Sequence, residues 1–411
     1  MTNLVQTRLS RSGIEAEASL SPAASVLRDR TWLAMTSSHL GRSTRLHAEV
    51  CRYISCSMID ARRRGHVVLI AADSAIEPWA SRAAELFSVP IITVRISDQV
   101  DAGEGLADGA AITVNSSGDL SRDAVVVALA DRVDCVFARP NGNVESSLLM
   151  RLGHRREPTT RVAVHTSAVD KRAQKVAREL MNRGAVGWYC RSGDFPDPSK
   201  VDADRNVQLL AASLHRGDWA KAEGEWIVHC TRACAGRWPG QTERQHRDEL
   251  LLGHGAVTIL EKQTPFDSLR RIARMRRIVA SAIASDHAWP VVCFSAQPIA
   301  ELLSRRRYRS HLHRWDYEPY GIAIRKSAAI AAGFQPVIYG SADQREALST
   351  SDRYRFQAIG KTYDWTQEQE WRCHGDVNLD RFDPDDVRLF VRDVAEARRL
   401  ASPYQVCAVD P

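Results

Sequence analysis

HVVLIAADSAIEPWASRAAELFSVPIITVRIS, residues 66–97, is the stretch that decides the fold of the first half of the chain. It begins and ends with largely apolar runs, residues 67–72 and 91–96, and the segment between them carries apolar residues at helical spacing. Strands that are apolar throughout are typical of a parallel sheet that is buried on both faces. Two such strands joined by a helix predict a right-handed strand–helix–strand unit.

The same alternation continues on both sides of this stretch. Further predicted strands are RTWLAMTS, DCVFARP and RVAVHTS, and further predicted helices are LHAEVCRYISCSMIDARRRG and ESSLLMRLGH. The pattern predicts a Rossmann-like α/β domain with a mostly parallel sheet over residues 28–192. Residues 1–22 lack the apolar core of a secretory signal, and we expect them to form a loose leader before the first domain.

The chain as a whole is long enough for two domains, with 411 residues. Pro, Asp, Ser and Gly cluster in residues 193–221, which predicts a linker. After it, residues 222–411 contain strand-like segments without regular helix alternation, which indicates an α+β domain. Its last segment, VRLFVRDVAEARRLAS, is predicted to be an amphipathic helix.

Composition excludes several classes of protein. No run of eighteen apolar residues occurs, so no membrane span is expected. Nine irregularly spaced cysteines suit a reducing cytoplasm better than a disulfide framework. The formal net charge of +6 is a mild excess, and it is concentrated in Arg-rich segments at residues 270–277 and 305–314. These segments are either solvated faces or sites that bind phosphate.

Three loops of the first domain are candidates for ligand binding, because each follows a predicted strand and leads into a helix. They span Thr36–Thr44, Ala72–Pro78 and Arg139–Ser146. Free backbone N–H groups at helix starts attract phosphate, so Ser38, Ser74 and Gly142 are predicted to bind a nucleotide-type ligand. The alternative is that these hydroxyls only cap helices. Neither a G-x-G-x-x-G motif nor a Walker loop is present.

Two segments of this domain resemble the Rossmann-type domain shared by the DNA-processing protein A and lonely-guy families. They are LIAADSAIEPWASRAAELFSVPIITVRI and SRDAVVVALADRVDCVFARPNGN. The residues that carry the resemblance are Ser74, Ala75, Arg122, Ala128, Asp131 and Gly142. The resemblance implies a nucleotide-type ligand. The Gly-Gly pairs of these families are missing here, so the phosphoribohydrolase chemistry of the lonely-guy branch is not carried over.

The second domain contains an unusual concentration of reactive side chains in WIVHCTRACAGRWPG, residues 226–240. His229, Cys230 and Cys234 are suitable ligand types for zinc, but their spacing does not fit a zinc knuckle. Neighbouring strand residues also point to opposite faces, so we expect no metal here. A thiol nucleophile is possible in principle, but no oriented partner is evident.

A catalytic strand is the interpretation that fits this segment better, because His229 and Thr231 lie two apart and share one face of a strand. Together with Tyr320 and the late Glu370, they resemble the active-site residues of ADP-ribosyltransferases. The resemblance implies NAD as the cofactor, with Glu370, His229 and Tyr320 catalytic. Tyr317 or Tyr339 would serve equally as the stacking tyrosine.

The remaining residues predicted to contact the cofactor are Thr231, Arg232 and Ser295. A fixed carboxylate such as Glu370 would oppose the positive charge that develops on the ribose. The alternative is structural: His229 is a hydrogen-bonded core residue, and Glu370 pairs with Arg372 on a strand.

These observations predict a nucleotide- or NAD-processing enzyme. We expect an ADP-ribosyltransferase-like effector coupled to a nucleotide-sensing domain, an architecture that suits bacterial stress or phage defence. The alternative is a non-catalytic protein that binds single-stranded nucleic acid, related to DNA-processing protein A, with the Arg-rich segments holding the strand. The sequence does not predict an oligomeric state.

Overall fold

The structure is a computed structural model that describes residues 4–41, 43–97, 109–116, 120–154, 159–165, 171–190, 224–234, 236–253, 263–281, 289–310, 314–359 and 365–409. The chain divides into two compact units. The first comprises Met1–Pro196 and Thr242–Leu260, and the second comprises Asp197–Gln241 and Glu261–Pro411. The predicted linker, residues 193–221, lies outside the described residues, and the predicted domain borders stay predictions.

The first unit is built on an eight-stranded sheet. Its strands are β1 (Glu17–Leu20), β2 (Trp32–Ser37), β3 (Val67–Ala71), β4 (Ile91–Ser97), β5 (Ala111–Asn115), β6 (Arg132–Phe137), β7 (Thr160–Ala163) and β8 (Val186–Trp188). Their order across the sheet is β1-β5-β4-β3-β2-β6-β7-β8. Every pairing is parallel except that of β1 with β5. Every residue of β2 and β3 is buried, as expected for central strands.

Helices cover both faces of this sheet. They are α1 (Leu4–Arg11), α2 (Pro22–Val26), α3 (Thr44–Arg64), α4 (Glu77–Phe87), α5 (Arg122–Leu129), α6 (Asn143–His154), α7 (Lys171–Asn182) and α8 (Glu243–Leu252). One apolar core contains residues of α1, α5 and α6, and the other contains residues of α3, α4 and α8. The predicted Rossmann-like fold is therefore confirmed.

The N-terminal residues are part of this unit, so the prediction of a loose leader was wrong. Val5 and Leu9 of α1 are fully buried in the core that contains α5. Their spacing of four residues places both on one face of a helix. Arg8, on the same helix, donates a hydrogen bond of 3.0 Å to Asp131. Strand β1 then adds an antiparallel edge beside β5.

Helix α8 belongs to the first unit although it follows β9, the first strand of the second unit, along the chain. Its Leu250 and Leu251 are buried in the core shared with α3 and α4. The Ser55 hydroxyl donates to the Leu251 carbonyl at 2.8 Å. Thr242 and Gln245 form a capping box at the start of the helix, which ends the preceding loop.

The second unit contains a seven-stranded sheet and three two-stranded pairings. Its strands are β9 (Trp226–Cys230), β10 (Arg277–Ile278), β11 (Val291–Ser295), β12 (Tyr308–Arg309), β13 (Arg314–Trp315), β14 (Gly321–Arg325), β15 (Gln335–Pro336), β16 (Ile338–Gly340), β17 (Phe356–Ala358), β18 (Glu370–His374), β19 (Val377–Asn378), β20 (Val387–Val391) and β21 (Gln405–Ala408). The order in the large sheet is β15-β18-β11-β9-β14-β20-β21. Only β20 and β21 are parallel in it.

Short helices complete the second unit. The α-helices are α9 (Pro265–Met275), α10 (Ile299–Ser304), α11 (Lys326–Ala331), α12 (Ala342–Ala347) and α13 (Val394–Arg398), and 3-10 turns span Thr350–Arg355, Trp365–Glu368, Leu379–Arg381 and Pro384–Asp386. This mixture confirms the predicted α+β character. No helix in the described ranges is both long enough and apolar enough to cross a membrane.

The predicted C-terminal amphipathic helix was wrong. VRLFV forms β20, which lies between β14 and β21, and only VAEAR after it is helical. Val387, Leu389 and Val391 face one core, while Phe390 faces the other. A strand that is buried on both faces has apolar residues at adjacent positions, and this short pattern is also compatible with one side of a helix.

Candidate functional site

The first candidate site lies at the edge of the parallel sheet where the strand order reverses. From β2 the chain builds β3, β4 and β5 to one side and β6, β7 and β8 to the other. Ligands of open α/β sheets bind beyond the carboxyl ends of the strands at such a switch point. Here the loops that follow β2 and β6 meet, and both lead into helices, α3 and α6. We call this site the switch-point crevice: Ser38, Gly41, Arg139 and Gly142.

Hydrogen bonds tie the two loops of the switch-point crevice together. The backbone N–H of Arg139 donates to Ser38 Oγ at 3.1 Å, and the N–H of Ser38 donates to the Phe137 carbonyl at 2.8 Å. A β-carbon at Gly142 would lie 3.4 Å from the Arg139 carbonyl and 3.8 Å from Ser38 Oγ. A β-carbon at Gly41 would lie 3.4 Å from Nη2 of Arg139, so the guanidinium lies over this glycine. Two of the three predicted contacts, Ser38 and Gly142, are thus adjacent.

Two strand-to-helix turns at this edge have the same construction. Asp73 and Asn141 both have positive φ, 55° and 58°. The N–H of each donates to the glutamate four residues later, Glu77 at 2.6 Å and Glu145 at 2.5 Å. Because both carboxylates accept a backbone N–H at the start of a helix, their negative charge is partly compensated by the helix dipole.

The third predicted contact, Ser74, lies in the turn after β3 and closes that turn. Its hydroxyl donates to the Ala71 carbonyl at 2.7 Å. The exposed Arg122 donates to the Ala72 and Asp73 carbonyls at 3.1 and 3.0 Å. The Ser74 hydroxyl therefore stabilises the turn in this structure, and it does not cap α4 as the alternative predicted.

One acidic group lies close to the end of β2. Thr36 Oγ1 donates to Asp123 at 3.2 Å. Burial raises the pKa of the Asp123 carboxyl, while the Thr36 hydrogen bond and the nearby Arg122 lower it. The Asp123 side chain therefore links α5 to β2 beside the switch-point crevice.

In the second unit, the predicted catalytic residues lie on different faces of the sheet. Glu370 is paired with Ser295, and Ser295 is paired with Val228. Paired residues of antiparallel strands share a face, and successive residues alternate. His229, next to Val228, therefore points to the face opposite Glu370. The structure does not bring the predicted imidazole and carboxylate together around one sugar.

His229 has the hydrogen bond expected of a core histidine. Its Nδ1 lies 2.9 Å from the Cys293 carbonyl, so Nδ1–H is the donor. Burial lowers the pKa of this imidazole to about 4. Thr231, two residues on, is buried, and its hydroxyl donates to the Pro265 carbonyl at 2.7 Å.

Tyr320 and Glu370 also have other partners. The Tyr320 hydroxyl donates to Glu396 at 3.0 Å, on α13. Glu370 accepts hydrogen bonds of 2.9 and 3.3 Å from Arg372, which is 1% exposed. Arg372 donates further to the carbonyls of Tyr354 and Phe356, both at 3.0 Å. Glu370 is thus neutralised within a buried network that holds the Thr350–Arg355 turn and β17 against β18.

The neighbouring Glu368 has a different environment from Glu370. Tyr317 Oη donates to Glu368 Oε1 at 2.6 Å. Burial raises the pKa of the Glu368 carboxyl, and the charges of Glu370 and Asp316 raise it further, while the Tyr317 hydrogen bond and Arg232 lower it. A half-buried carboxyl with a raised pKa is suited to accept or donate a proton. The E-x-E pattern in the sequence includes both Glu368 and Glu370. The spacing alone did not show which of the two carboxyls has the raised pKa.

The other two predicted cofactor contacts are near Glu368. Ser295 Oγ donates to the Glu368 carbonyl at 2.6 Å and accepts from the Gln297 N–H at 3.1 Å. Arg232 is exposed and lowers the pKa of Glu368. The two residues flanking this site, Tyr317 and Gln369, have positive φ of 52° and 45°. Such backbone conformations are uncommon for these residue types and concentrate at functional sites. No group of three or more potential metal ligands is found among the described residues.

Comparisons with known proteins give a partial structural likeness. No protein-family model matches the chain, and no curated protein matches it. DNA processing protein A from Streptococcus pneumoniae matches 39% of this chain with a TM-score of 0.31 and 13% identity. The match covers 59% of that protein, so the chain spans about three fifths of its length.

A second solved structure is that of DNA processing protein A from Helicobacter pylori, described for its single-stranded DNA binding mode. It matches 41% of this chain and 80% of its own, with a TM-score of 0.31 and 14% identity. The predicted resemblance to DNA-processing protein A thus has a structural counterpart over about two fifths of the chain. The predicted resemblance to ADP-ribosyltransferases is not shown.

Proposed function

We propose that the first unit binds single-stranded nucleic acid through its phosphate backbone, at the switch-point crevice. The observation that carries this proposal is the position of the Arg139 guanidinium over Gly41, beside Ser38 and Gly142, where the strand order reverses. A guanidinium is always charged and matches the geometry of a phosphate. The start of α3 adds a favourable potential for an anion at the same edge of the sheet, whereas the start of α6 already carries the Glu145 carboxylate.

A polymer fits this site better than an enclosed dinucleotide. The loops lack the glycine-rich sequence that wraps a pyrophosphate. Arg139 and Arg122 are both exposed. Exposed side chains of this kind can contact the phosphate backbone of a nucleic acid from one side. The chain carries a formal charge of +6, which favours association with a polyanion. DNA processing protein A from Helicobacter pylori, which matches 41% of this chain, has a single-stranded DNA binding mode.

Removing Arg139 tests the proposal. The affinity of the full chain for a labelled oligothymidylate is measured by fluorescence anisotropy over a range of salt concentrations. Arg139→Ala is expected to lower affinity about tenfold and to reduce the slope of log affinity against log salt by about 0.7, the value for one phosphate contact on a single strand. Arg63→Ala is the matched control, because this exposed arginine lies at the other end of α3, about 30 Å away.

Two outcomes would overturn the proposal. The first is equal affinity of the Arg139→Ala and Arg63→Ala variants. The second is complete competition by a free mononucleotide at equal phosphate concentration, which would make a nucleotide the ligand. Thermal unfolding of each variant verifies that folding is unchanged.

A second candidate function concerns the second unit, which carries Glu368. The predicted nucleotide- or NAD-processing activity would require a protonatable or charge-stabilising carboxyl, and Glu368 fits this role better than Glu370 because Arg372 neutralises Glu370. NAD is the substrate that the predicted resemblance to ADP-ribosyltransferases implies. Release of nicotinamide from NAD is the measurement. Loss of release in Glu368→Gln with retention in Glu346→Gln, an exposed carboxyl on α12, would support the enzyme, and no release by the unmodified chain would remove it.

A further inference from the structure

An exposed aromatic pair lies on the two-stranded ribbon of β12 and β13. Tyr308 and Trp315 are directly paired across the two strands. Their rings are 5.4 Å apart between centroids, with an angle of 60° between the planes. Tyr308 is 48% exposed and Trp315 is 42% exposed. Aromatic side chains in a monomeric protein are usually more enclosed, and an exposed pair of large rings indicates an interaction surface.

The chain around this pair is rich in arginine. Between Ser304 and Arg314 the sequence SRRRYRSHLHR contains five arginines and no carboxylate. Arg305 and Arg309 form ion pairs with Glu301 and Asp316, which lie outside this segment. The Arg306 guanidinium lies 4.5 Å from the centre of the Trp315 ring, in cation–π geometry, and is also paired with Glu318 at 2.7 Å. Within the described residues, the exposed Arg307 has no ion-pair partner.

We propose that Tyr308, Trp315, Arg306 and Arg307 form a stacking platform in the second unit that binds the bases of single-stranded nucleic acid. This proposal rests on the proposed function, which assigns the same class of ligand to the chain. Each base has a flat π-face that stacks on an exposed aromatic ring without regard to sequence. The adjacent guanidinium groups match the phosphates that flank an exposed base.

Charge complementarity favours nucleic acid over an apolar protein surface at this platform. An apolar protein surface would bury Arg306 and Arg307 without supplying an anion for the unpaired Arg307, and a buried unpaired charge is costly. Duplex DNA has its bases stacked internally, so its flat faces are not available to Tyr308 and Trp315. The partner that satisfies both the rings and the guanidinium groups is a single strand.

The test compares two oligonucleotides of equal length: oligothymidylate and the same backbone without bases. Stacking predicts that the full chain binds oligothymidylate more tightly. Trp315→Leu keeps an apolar side chain but removes the ring, and is expected to lower affinity for oligothymidylate about tenfold while leaving affinity for the abasic strand unchanged. Trp315→Phe, which retains a ring, is expected to restore most of the affinity. Tyr308→Leu provides an independent second variant.

The results of these experiments test the stacking platform and the switch-point crevice separately. Equal affinity of Trp315→Leu and unmodified protein for oligothymidylate overturns the platform, while loss of binding in Arg139→Ala still supports the crevice. Loss of binding in Trp315→Leu with normal binding by Arg139→Ala supports the platform and overturns the crevice. Equal loss for the abasic strand in Trp315→Leu also overturns the platform, because it shows that the ring does not act through bases.

Discussion

Arg82 binds Asp248 through two hydrogen bonds, from Nε at 2.6 Å and from Nη2 at 2.7 Å, although 166 positions separate the two residues along the chain. The pair joins α4 to α8, and α8 is the helix that returns to the first unit. Arg247, the neighbour of Asp248, lies over the ring of Trp79 on α4, 5.2 Å from its centroid. Polar contacts of this kind select the position of α8, while its buried leucines supply most of the stabilisation.

Truncation of Leu251 is expected to detach α8. This side chain is fully buried, and Leu251→Ala should lower the free energy of unfolding of the first unit by about 2–5 kcal/mol through lost burial and a residual cavity. The neighbouring Leu252 is 53% exposed, so Leu252→Ala is the matched control and should change it by less than about 0.5 kcal/mol. Urea unfolding measures both values. Similar losses in the two variants would contradict the packing described for α8.

Substitution of two glycines at opposite ends of α3 distinguishes an effect of backbone strain on stability from an effect on ligand binding. Gly41 and Gly65 have φ of +69° and +66°, so alanine at either position should cost about 1 kcal/mol of stability. At Gly41 the new β-carbon would lie 3.4 Å from Nη2 of Arg139, an ordinary van der Waals contact, and nothing lies within 4 Å at Gly65. Because only Gly41 belongs to the switch-point crevice, backbone strain at this position should distort the loop proposed to bind the ligand, and Gly41→Ala should weaken binding of oligothymidylate more than Gly65→Ala. Equal binding by the two variants would show that the conformation of this loop does not matter for binding.

Gly321 occupies a place in β14 that tolerates no side chain. An added β-carbon would lie 2.1 Å from the His229 carbonyl and 2.4 Å from the Phe390 ring. Because both neighbours are in adjacent strands of the central sheet, Gly321→Ala should destabilise the second unit by about 3 kcal/mol or more. Gly153→Ala on α6, where nothing lies within 4 Å, serves as the control and should be neutral or slightly stabilising. Chemical unfolding of both variants provides the measurement; a stable Gly321→Ala variant would refute this strand pairing.

His229 makes the stability of the second unit depend on pH. Its pKa in the folded protein is about 4, below the ordinary histidine value of 6.5, so the unfolded chain binds the proton first. Stability should fall as the pH decreases from 6.5 to about 4, by up to roughly 3 kcal/mol from this residue, and should not fall further below that range on its account. His229→Gln retains a donor for the Cys293 carbonyl but cannot titrate. Urea unfolding at several pH values should show a shallower dependence in this variant, and an unchanged slope would contradict the assignment.

Local patterns predicted the first unit better than the second. Val67–Ala71 is apolar throughout, and Trp32–Ser37 is apolar up to Met35, because parallel central strands are covered on both sides. The chain between them carries a complete amphipathic helix. In the second unit, VRLFV is similarly short and mostly apolar, but its partner strands are β14 and β21. Strand β14 lies far earlier in the sequence, and β21 follows only after α13. A short apolar run does not distinguish a strand from a helix until its partners are known.

The sequence by itself determined the parallel α/β order of the first unit and the presence of acidic and aromatic residues in the second, because periodicity acts over a few positions. Only the tertiary structure decided that His229 and Glu370 point to opposite faces, that Tyr317 holds Glu368, and that α8 returns to the first unit. The physical reason is that strand register and long-range packing determine which side chains meet, and neither is encoded in the spacing of a single segment.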